Sequence, residues 1–448
     1  MDRLALKWHA AVQFRAVRAW PPMPSPRSPF GFSLGFPLLL LGLAASWPAL
    51  AAEPERVSYA LIIANNASLD PKQAALRYAD DDGARYYELF APQARDTVLL
   101  SVLDEETQAR HPGLAARTQP PTRARLKESL ARLNAEMAED RKAGKAPVLY
   151  FIFTGHGQRG PAGEGMVSLL DGPFNRSDLY AQVITPSPAS FIHLIVDACD
   201  SYFFVNARGA LPIGPAQTAA VTQHLASREL DRYPQVGVVL STSSARESHE
   251  WSTISAGVFS HQVRSALAGA ADVNRDGRVE YSELTAFIAA ASQGVQDVRG
   301  KLDIFARPPP LDRSAALSDL GRNSGLGYLL VPEGLSGRMW VEDTRGVRVA
   351  DFHKERERPL VLALPPDRGY YLRTEGREAR LKMDRAGALV DAGGLAWSSS
   401  TVASRGAVEE AFRDKLFGVA FGPSFYSGYV ASQGMPPVVM DEGPDLSP

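Results

Sequence analysis

The sequence predicts an α/β fold: a mainly parallel sheet covered by helices on both faces, followed by a small C-terminal β-rich domain. Three observations carry this expectation. Residues 57–64 (VSYALIIA), 148–153 (VLYFIF), 191–196 (FIHLIV) and 236–241 (VGVVLS) are uninterrupted apolar runs of strand length, the pattern of strands buried on both faces. Helical patterns separate them, as crossover connections require. Beyond about residue 304 the chain becomes Pro-rich (ARPPPLDRSAALSDLGRNSG) and then breaks into short alternating runs (GYLLVPEG, GRMWVED, VRVADF, PLVLALP, YYLRTEG, ARLKMD), the pattern of an antiparallel sandwich.

The 448 residues leave room for about three folding units at roughly 150 residues each. Lys plus Arg number 48 and Asp plus Glu 50, so the chain lacks the basic excess of a phosphate-backbone binder, and nucleic acid is excluded as a partner. With 45% apolar and 22% charged residues the chain can bury ordinary cores. A single cysteine cannot form an intramolecular disulfide.

Residues 1–29 carry Arg3, Lys7, Arg15, Arg18 and Arg27, and residues 30–45 (FGFSLGFPLLLLGLAA) are apolar and uncharged, followed by Ala49-Leu50-Ala51. A basic start, an apolar run of this length and an A-x-A site read as a secretory signal peptide over 1–51, with the mature chain starting near Ala52 and Met23 offering a more ordinary start. The chain is then secreted or periplasmic, with no stable membrane insertion after cleavage. If it is not cleaved, the same run is a membrane anchor.

In the mature part, 57–64 is the first strand and 74–90 (AALRYADDDGARYYELF) the first helix; 98–103 is a second strand. Residues 122–144 form an amphipathic helix opened by Thr122 as N-cap. Runs 148–153 and 191–196 each end in small or polar residues, Thr154-Gly155-His156-Gly157 after one and Asp197-Ala198-Cys199-Asp200-Ser201 after the other. In parallel sheets ligands bind beyond the carboxyl ends of the strands. His156 and Cys199 therefore emerge side by side if these strands are neighbours. A thiol needs a nearby base to become a nucleophile, and the amides of Gly157 and Cys199 could form an oxyanion hole.

These motifs resemble the caspase-like (clan CD) cysteine peptidases, especially metacaspases and bacterial caspase-domain proteins. The resemblance covers roughly residues 57–290, on YALIIANN, LRYADDDGARYYELF, FIFTGHG, LIVDACDS and VVLSTSSARESHEW…GVFSHQVRSAL. It implies a caspase-like three-layer αβα sandwich with a mostly parallel six-stranded sheet, and a Cys199/His156 dyad hydrolysing peptide bonds. It also implies that Asp197 and Asp82 bind a basic P1 side chain, Arg or Lys; for Asp82 a helix start stabilised by its dipole reads equally well. Asp200-Ser201-Tyr202 departs from the His-Ser-Gly that usually follows the metacaspase cysteine, and an acidic neighbour disfavours the thiolate.

Residues 272–283 fit D-x-[DN]-x-[DN]-G-x5-E at every position. Asp272, Asn274 and Asp276 would supply side-chain oxygens, Arg278 its carbonyl and Glu283 a bidentate carboxylate to Ca2+, with Gly277 at the sharp turn. Residues 260–270 and 282–292 are the flanking helices. A single unpaired loop suits weak, structural calcium binding, on the order of 0.1–1 mM.

His193 reads as a packed core residue, His249 and His261 as flanking a loop near the cleft. Arg208, Arg228 and Arg232 lie in the 201–234 stretch, a self-cleavage site if P1 is basic. The domains expected are 52–305 (peptidase-like), a linker 306–324, a β-sandwich-like domain 325–395, and a helical segment with a tail in 396–448. The function expected is a cysteine endopeptidase acting on a protein or peptide. The alternative is a catalytically silent caspase-fold module binding a partner. An esterase using Ser201 or Ser241 lacks the G-x-S-x-G elbow.

Overall fold

The computed structural model describes residues 54–160, 163–206, 229–241, 250–295, 302, 304–322, 325–400 and 415–440. The signal-peptide segment, Arg208, Arg228 and His249 lie outside these residues, as do residues 401–414 of the helical segment expected within 396–448.

The apolar runs form the centre of a seven-stranded sheet. In chain order its strands are β1 (Arg56–Asn65), β2 (Asp96–Leu100), β3 (Thr118–Gln119), β4 (Ala146–Gly155), β5 (Phe191–Asp197), β6 (Val236–Ser241) and β7 (Ile304–Arg307), arranged β7-β6-β5-β4-β1-β2-β3. All neighbours are parallel except β7, which runs antiparallel to β6. The sheet thus has seven strands where the resemblance implied six, and its seventh comes partly from the stretch read as a linker. β2 begins two residues earlier than expected and ends three earlier.

Alternation sorts each strand between two cores. From β1, Ala60, Ile62 and Ala64 face one layer and Tyr59, Leu61 and Ile63 the other; β4 divides Val148, Tyr150 and Ile152 from Leu149, Phe151 and Phe153 in the same way. One layer holds α1 (Ala79–Phe90), α3 (Val258–Ser265) and α4 (Tyr281–Ser292); the other holds α2 (Arg123–Lys142), capped by Thr122 accepting from the Arg125 amide. Burial on both faces accounts for the unbroken apolar sequence of β4, in which every residue is buried.

The C-terminal region is β-rich. β8 (Gly327–Val331) pairs with β11 (Leu360–Leu364) and β14 (Leu389–Asp391). β9 (Gly337–Asp343), β10 (Arg348–Lys354), β12 (Arg368–Thr374), β13 (Arg377–Met383) and β15 (Trp397–Ser399) make a five-stranded antiparallel sheet. α5 (Pro423–Gln433) packs on α4 through Tyr426, whose hydroxyl lies 3.0 Å from Ser282 Oγ. Beyond it residues 434–440, expected as a loose tail, lie on the 272–283 loop, where Asn274 Nδ2 donates to the Val439 carbonyl.

This region grips the two helices that line the cleft described below. Glu88 of α1 accepts from Arg345 Nη1 and Nη2, both at 3.0 Å, and from Arg368 Nη1 at 2.8 Å, and it pairs with His111. On α3, His261 Nε2 lies 2.8 Å from Asp351 Oδ2, which also accepts from Arg348 Nε, and Ser265 Oγ accepts from the Asp351 amide. Burial opposes charge on Asp351, but Arg348 and His261 hold its carboxyl well below the usual range.

Candidate active site

β4 and β5 are adjacent and parallel, with Thr154 opposite Asp197. His156 and Cys199 each follow two residues beyond that pair, so both emerge at one rim. Gly155 takes φ +155 where an added Cβ would lie 2.8 Å from the Asn65 carbonyl. Both the close approach and the backbone conformation there call for glycine. At Gly157 a Cβ would fall 2.1 Å from the Cys199 carbonyl oxygen and 2.9 Å from Ala198 Cβ. The histidine and cysteine segments therefore press main chain against main chain.

His156 is 6% exposed and its Nε2 is buried with no hydrogen-bond partner among the described residues. Burial pushes the ring's pKa down, against a hydrogen bond with the Ala74 backbone. Burial, then Asp197 and Asp200, push the half-buried Cys199 thiol up. Both shifts favour the uncharged forms, thiol and neutral imidazole. The Ser168 amide donates to the His156 carbonyl, so in the hairpin of Gly157–Arg159 with Gly165–Leu169 the next pair, Gly157 opposite Val167, is a non-hydrogen-bonded one. The Gly157 N–H consequently points away from the hairpin.

A cleft of about 450 Å3 opens beside the two residues, lined among others by Asp82, Asp197, Glu250 and Gly257. Asp197 Oδ2 accepts from the Ser260 amide (3.2 Å) and hydroxyl (2.7 Å). Burial pushes this carboxyl up to about 7, with Asp82 adding to the rise and the Ser260 bonds opposing it. Asp82 is 1% exposed; its Oδ2 accepts from the Gly257 amide (2.7 Å) and its Oδ1 from Arg264 Nη1 (2.7 Å). A Cβ on Gly257 would sit 2.8 Å from Asp82 Oδ2 and 3.0 Å from Asp197 Oδ2, so the two carboxylates converge on that glycine.

The Asp80-Asp81-Asp82 run is not a solvated helix start, since all three are at most 1% exposed. Asp80 accepts from Asn66 Nδ2 and the Asp104 amide, Asp81 from Arg110 Nη1. Burial pushes Asp81 up to about 6, with Arg85 opposing. Reading the sequence missed Ser260, Arg264 and Glu250. Ser260 and Arg264 are four apart on one face of α3, a signal that exists in GVFSHQVRSAL but names no partner. Glu250 Oε1 accepts from the amides of Arg77 and Tyr78, closing the cleft's rim. Of the two serines in the esterase alternative, Ser201 has its hydroxyl committed, being 1% exposed and donating to the Ser241 carbonyl. His193 is buried, its Nδ1 2.7 Å from the Tyr281 hydroxyl.

In the 272–283 loop Asp272 accepts from the amides of Asp276 (3.1 Å) and Gly277 (3.0 Å), Asn274 from Asp276 (3.1 Å) and Asp276 from Arg278 (2.9 Å). Glu283, fully buried, accepts from the amides of Val273 and Glu280. Gly277 has φ +79, as the tight turn needs. The loop's short strand Arg278–Glu280 pairs with Ala316–Asp319 rather than with a second loop. Burial pushes Asp272 up to about 7, with Asp276 adding, and Glu280 Oε2 is buried without a partner among the described residues. The donors are all hard oxygens, the chemistry calcium takes, and a cation would relieve their repulsion. Among the described residues, however, no three carboxylate, imidazole or thiol groups close in as a metal shell.

No family model matches the sequence, and no curated protein does. Among solved structures the chain is similar to protein GSU0716 from Geobacter sulfurreducens, at 16% identity and a TM-score of 0.31 over 60% of this chain and 99% of that one. It is also similar to caspase-1 from Spodoptera frugiperda, at 11% identity and a TM-score of 0.33 over 57% of this chain and 88% of that one. Likenesses this distant carry no functional weight, which rests on the residues themselves.

Proposed function

We propose that the chain is a caspase-like cysteine endopeptidase that cleaves after Arg or Lys. The observation that carries this reading is the placement of His156 and Cys199 two residues beyond the facing pair Thr154 and Asp197, at the lip of the acidic cleft. As Cys199 Sγ bonds to the scissile carbonyl carbon, its proton passes to His156 Nε2. The amides of Gly157 and Cys199 hold the developing oxyanion, and His156 returns the proton to the departing amine. Water, deprotonated by His156, then releases the acyl group from Cys199. Asp197 meets the cationic P1 side chain. Asp82, already compensated by Arg264, contributes shape more than charge.

The loop at Asp272, Asn274, Asp276, the Arg278 carbonyl and Glu283 would hold Ca2+, which stabilises the turn between α3 and α4. Its support is the hard-oxygen donor set and the buried carboxylates. We place the protein outside the cytoplasm on the strength of residues 1–51. A second reading, a silent caspase-fold binding module, is favoured by one observation, the upward push on the Cys199 thiol.

The test is turnover of Arg-P1 and Lys-P1 fluorogenic peptides, with Asp-P1 controls, by the full chain and by Cys199→Ala, with and without calcium. Cysteine-dependent Arg or Lys cleavage is expected. Preferential Asp-P1 hydrolysis, or silence of folded protein across the panel, refutes the reading.

A further inference from the structure

The residue after the cysteine has an unusual backbone conformation and is bonded by a residue from the histidine segment. Asp200 has φ +54, left-handed backbone that is uncommon outside glycine and that Asp tolerates better than most residues. Its Oδ1 accepts from Arg159 Nε and Nη2, each at 3.0 Å. The Arg159 guanidinium carbon also lies 3.6 Å from the centre of the Phe203 ring, within cation–π range. Arg159 stands three residues after His156, and Phe203 four after Cys199.

Two close main-chain contacts flank this pair. Gly157 abuts the Cys199 carbonyl, and a Cβ on Gly165 would fall 2.2 Å from the Phe203 carbonyl carbon and the Phe204 nitrogen. The hairpin that follows His156 thus lies flat on the turn that carries Cys199, and Arg159 is the side chain that ties them together. Asp197 and Asp200 act on the thiol from its own segment, and His156, Asp82, Glu250 and Arg77 line the cleft with it. Among the described residues Arg159 is the cation in contact with Asp200.

We infer that Arg159 is a positioning residue for the nucleophile: by binding Asp200 it fixes the left-handed turn after Cys199 and offsets the carboxylate that would otherwise oppose thiolate formation. The inference rests on Cys199 being the nucleophile. It explains how an acidic residue is tolerated beside it. A half-exposed ion pair adds little to overall stability, so its effect is read at the neighbouring thiol.

The experiment is the pH dependence of Cys199 alkylation by iodoacetamide in the full chain, for wild type, Arg159→Ala, Arg159→Lys and the double variant Arg159→Ala/Asp200→Gly. Peptide turnover is measured alongside. In Arg159→Ala the alkylation midpoint should rise by about one pH unit, slowing the reaction at pH 7.5 up to about tenfold. Arg159→Lys should recover part of this. The double variant, which removes the carboxylate and suits the left-handed turn, should return to the wild-type midpoint or below, and it keeps the test valid if Arg159→Ala alone folds poorly. An unmoved midpoint in folded Arg159→Ala, or a double variant as slow as the single, overturns the inference. Alkylation needs no peptide turnover, so shifts without cleavage would refute the peptidase reading and leave this one standing.

Discussion

Arg264 Nη1 donates to Asp82 Oδ1 over 2.7 Å, and both side chains are at least 97% buried, so the floor of the cleft is closed by an internal ion pair. Arg264 Nε and Nη2 have no hydrogen-bond partners among the described residues, which makes Asp82 the group that justifies the buried charge. Removing one partner of such a pair typically costs about 3–5 kcal/mol, whereas replacing both by apolar residues is much less harmful. Arg264→Met should therefore lower stability in urea by about 3 kcal/mol, and Arg264→Met/Asp82→Leu should recover most of it. If the double variant is as unstable as the single, the pair is not the source of the loss.

Asp197 gives the cleft a pH dependence. Its folded pKa of about 7 lies above its ordinary value of 3.8, so the buried charge destabilises the fold increasingly as pH rises from about 4 to 7 and by a constant amount above that. Asp197→Asn should raise Tm by a few degrees at pH 8 and leave it unchanged at pH 4. Binding of a cationic P1 group needs the ionised form, so KM for an Arg-P1 peptide should climb as pH falls below 7. In Asp197→Asn that climb should vanish and KM be high throughout. A KM independent of pH between 6 and 8 in the wild type would remove Asp197 from substrate recognition.

The contact of Gly157 with the Cys199 carbonyl makes a small substitution informative. A methyl group 2.1 Å from that oxygen must separate the two segments, and a displacement near 1 Å can lower turnover about a hundredfold. Gly157→Ala should lose roughly that factor in kcat/KM while Cys199 remains accessible to alkylation. Near-normal turnover would mean that the amide of residue 157 and its close approach are not needed.

The centre of the sheet was legible because a strand buried on both faces must be apolar throughout, and β1, β4, β5 and β6 are. The edges were not. β7 is a four-residue antiparallel strand, IFAR, next to three prolines, and it reads as the start of a connector because its pairing with β6 is set by the fold and leaves no local period. The chemistry at the rim was visible because His156 and Cys199 directly follow strands. Arg264 and Arg159 were hidden: an arginine shows nothing locally of a partner 182 residues away, as with Asp82, or 41 away, as with Asp200. The burial of the Asp80–Asp82 run was equally invisible, since three consecutive acids at a helix start look solvated until Arg85, Arg110 and Arg264 are placed around them.

The calcium loop offers a test independent of peptidase activity. Asp272 and Glu283 are buried acceptors whose repulsion a bound cation would offset, and the loop joins α3, which carries Ser260 and Arg264, to α4. For a dissociation constant of roughly 0.1–1 mM, 10 mM calcium should stabilise the folded chain by about 1.4–2.7 kcal/mol. That shift is measured as Tm in calcium against a chelator, with magnesium as control. Asp272→Asn/Glu283→Gln should abolish the calcium shift and, by removing buried charge, make the metal-free chain more stable than the wild type. A wild-type Tm that calcium does not move would show that the carboxylates serve only to cap the turn, as Glu283 already does for the amides of Val273 and Glu280. A shift that survives the double substitution would place the cation elsewhere.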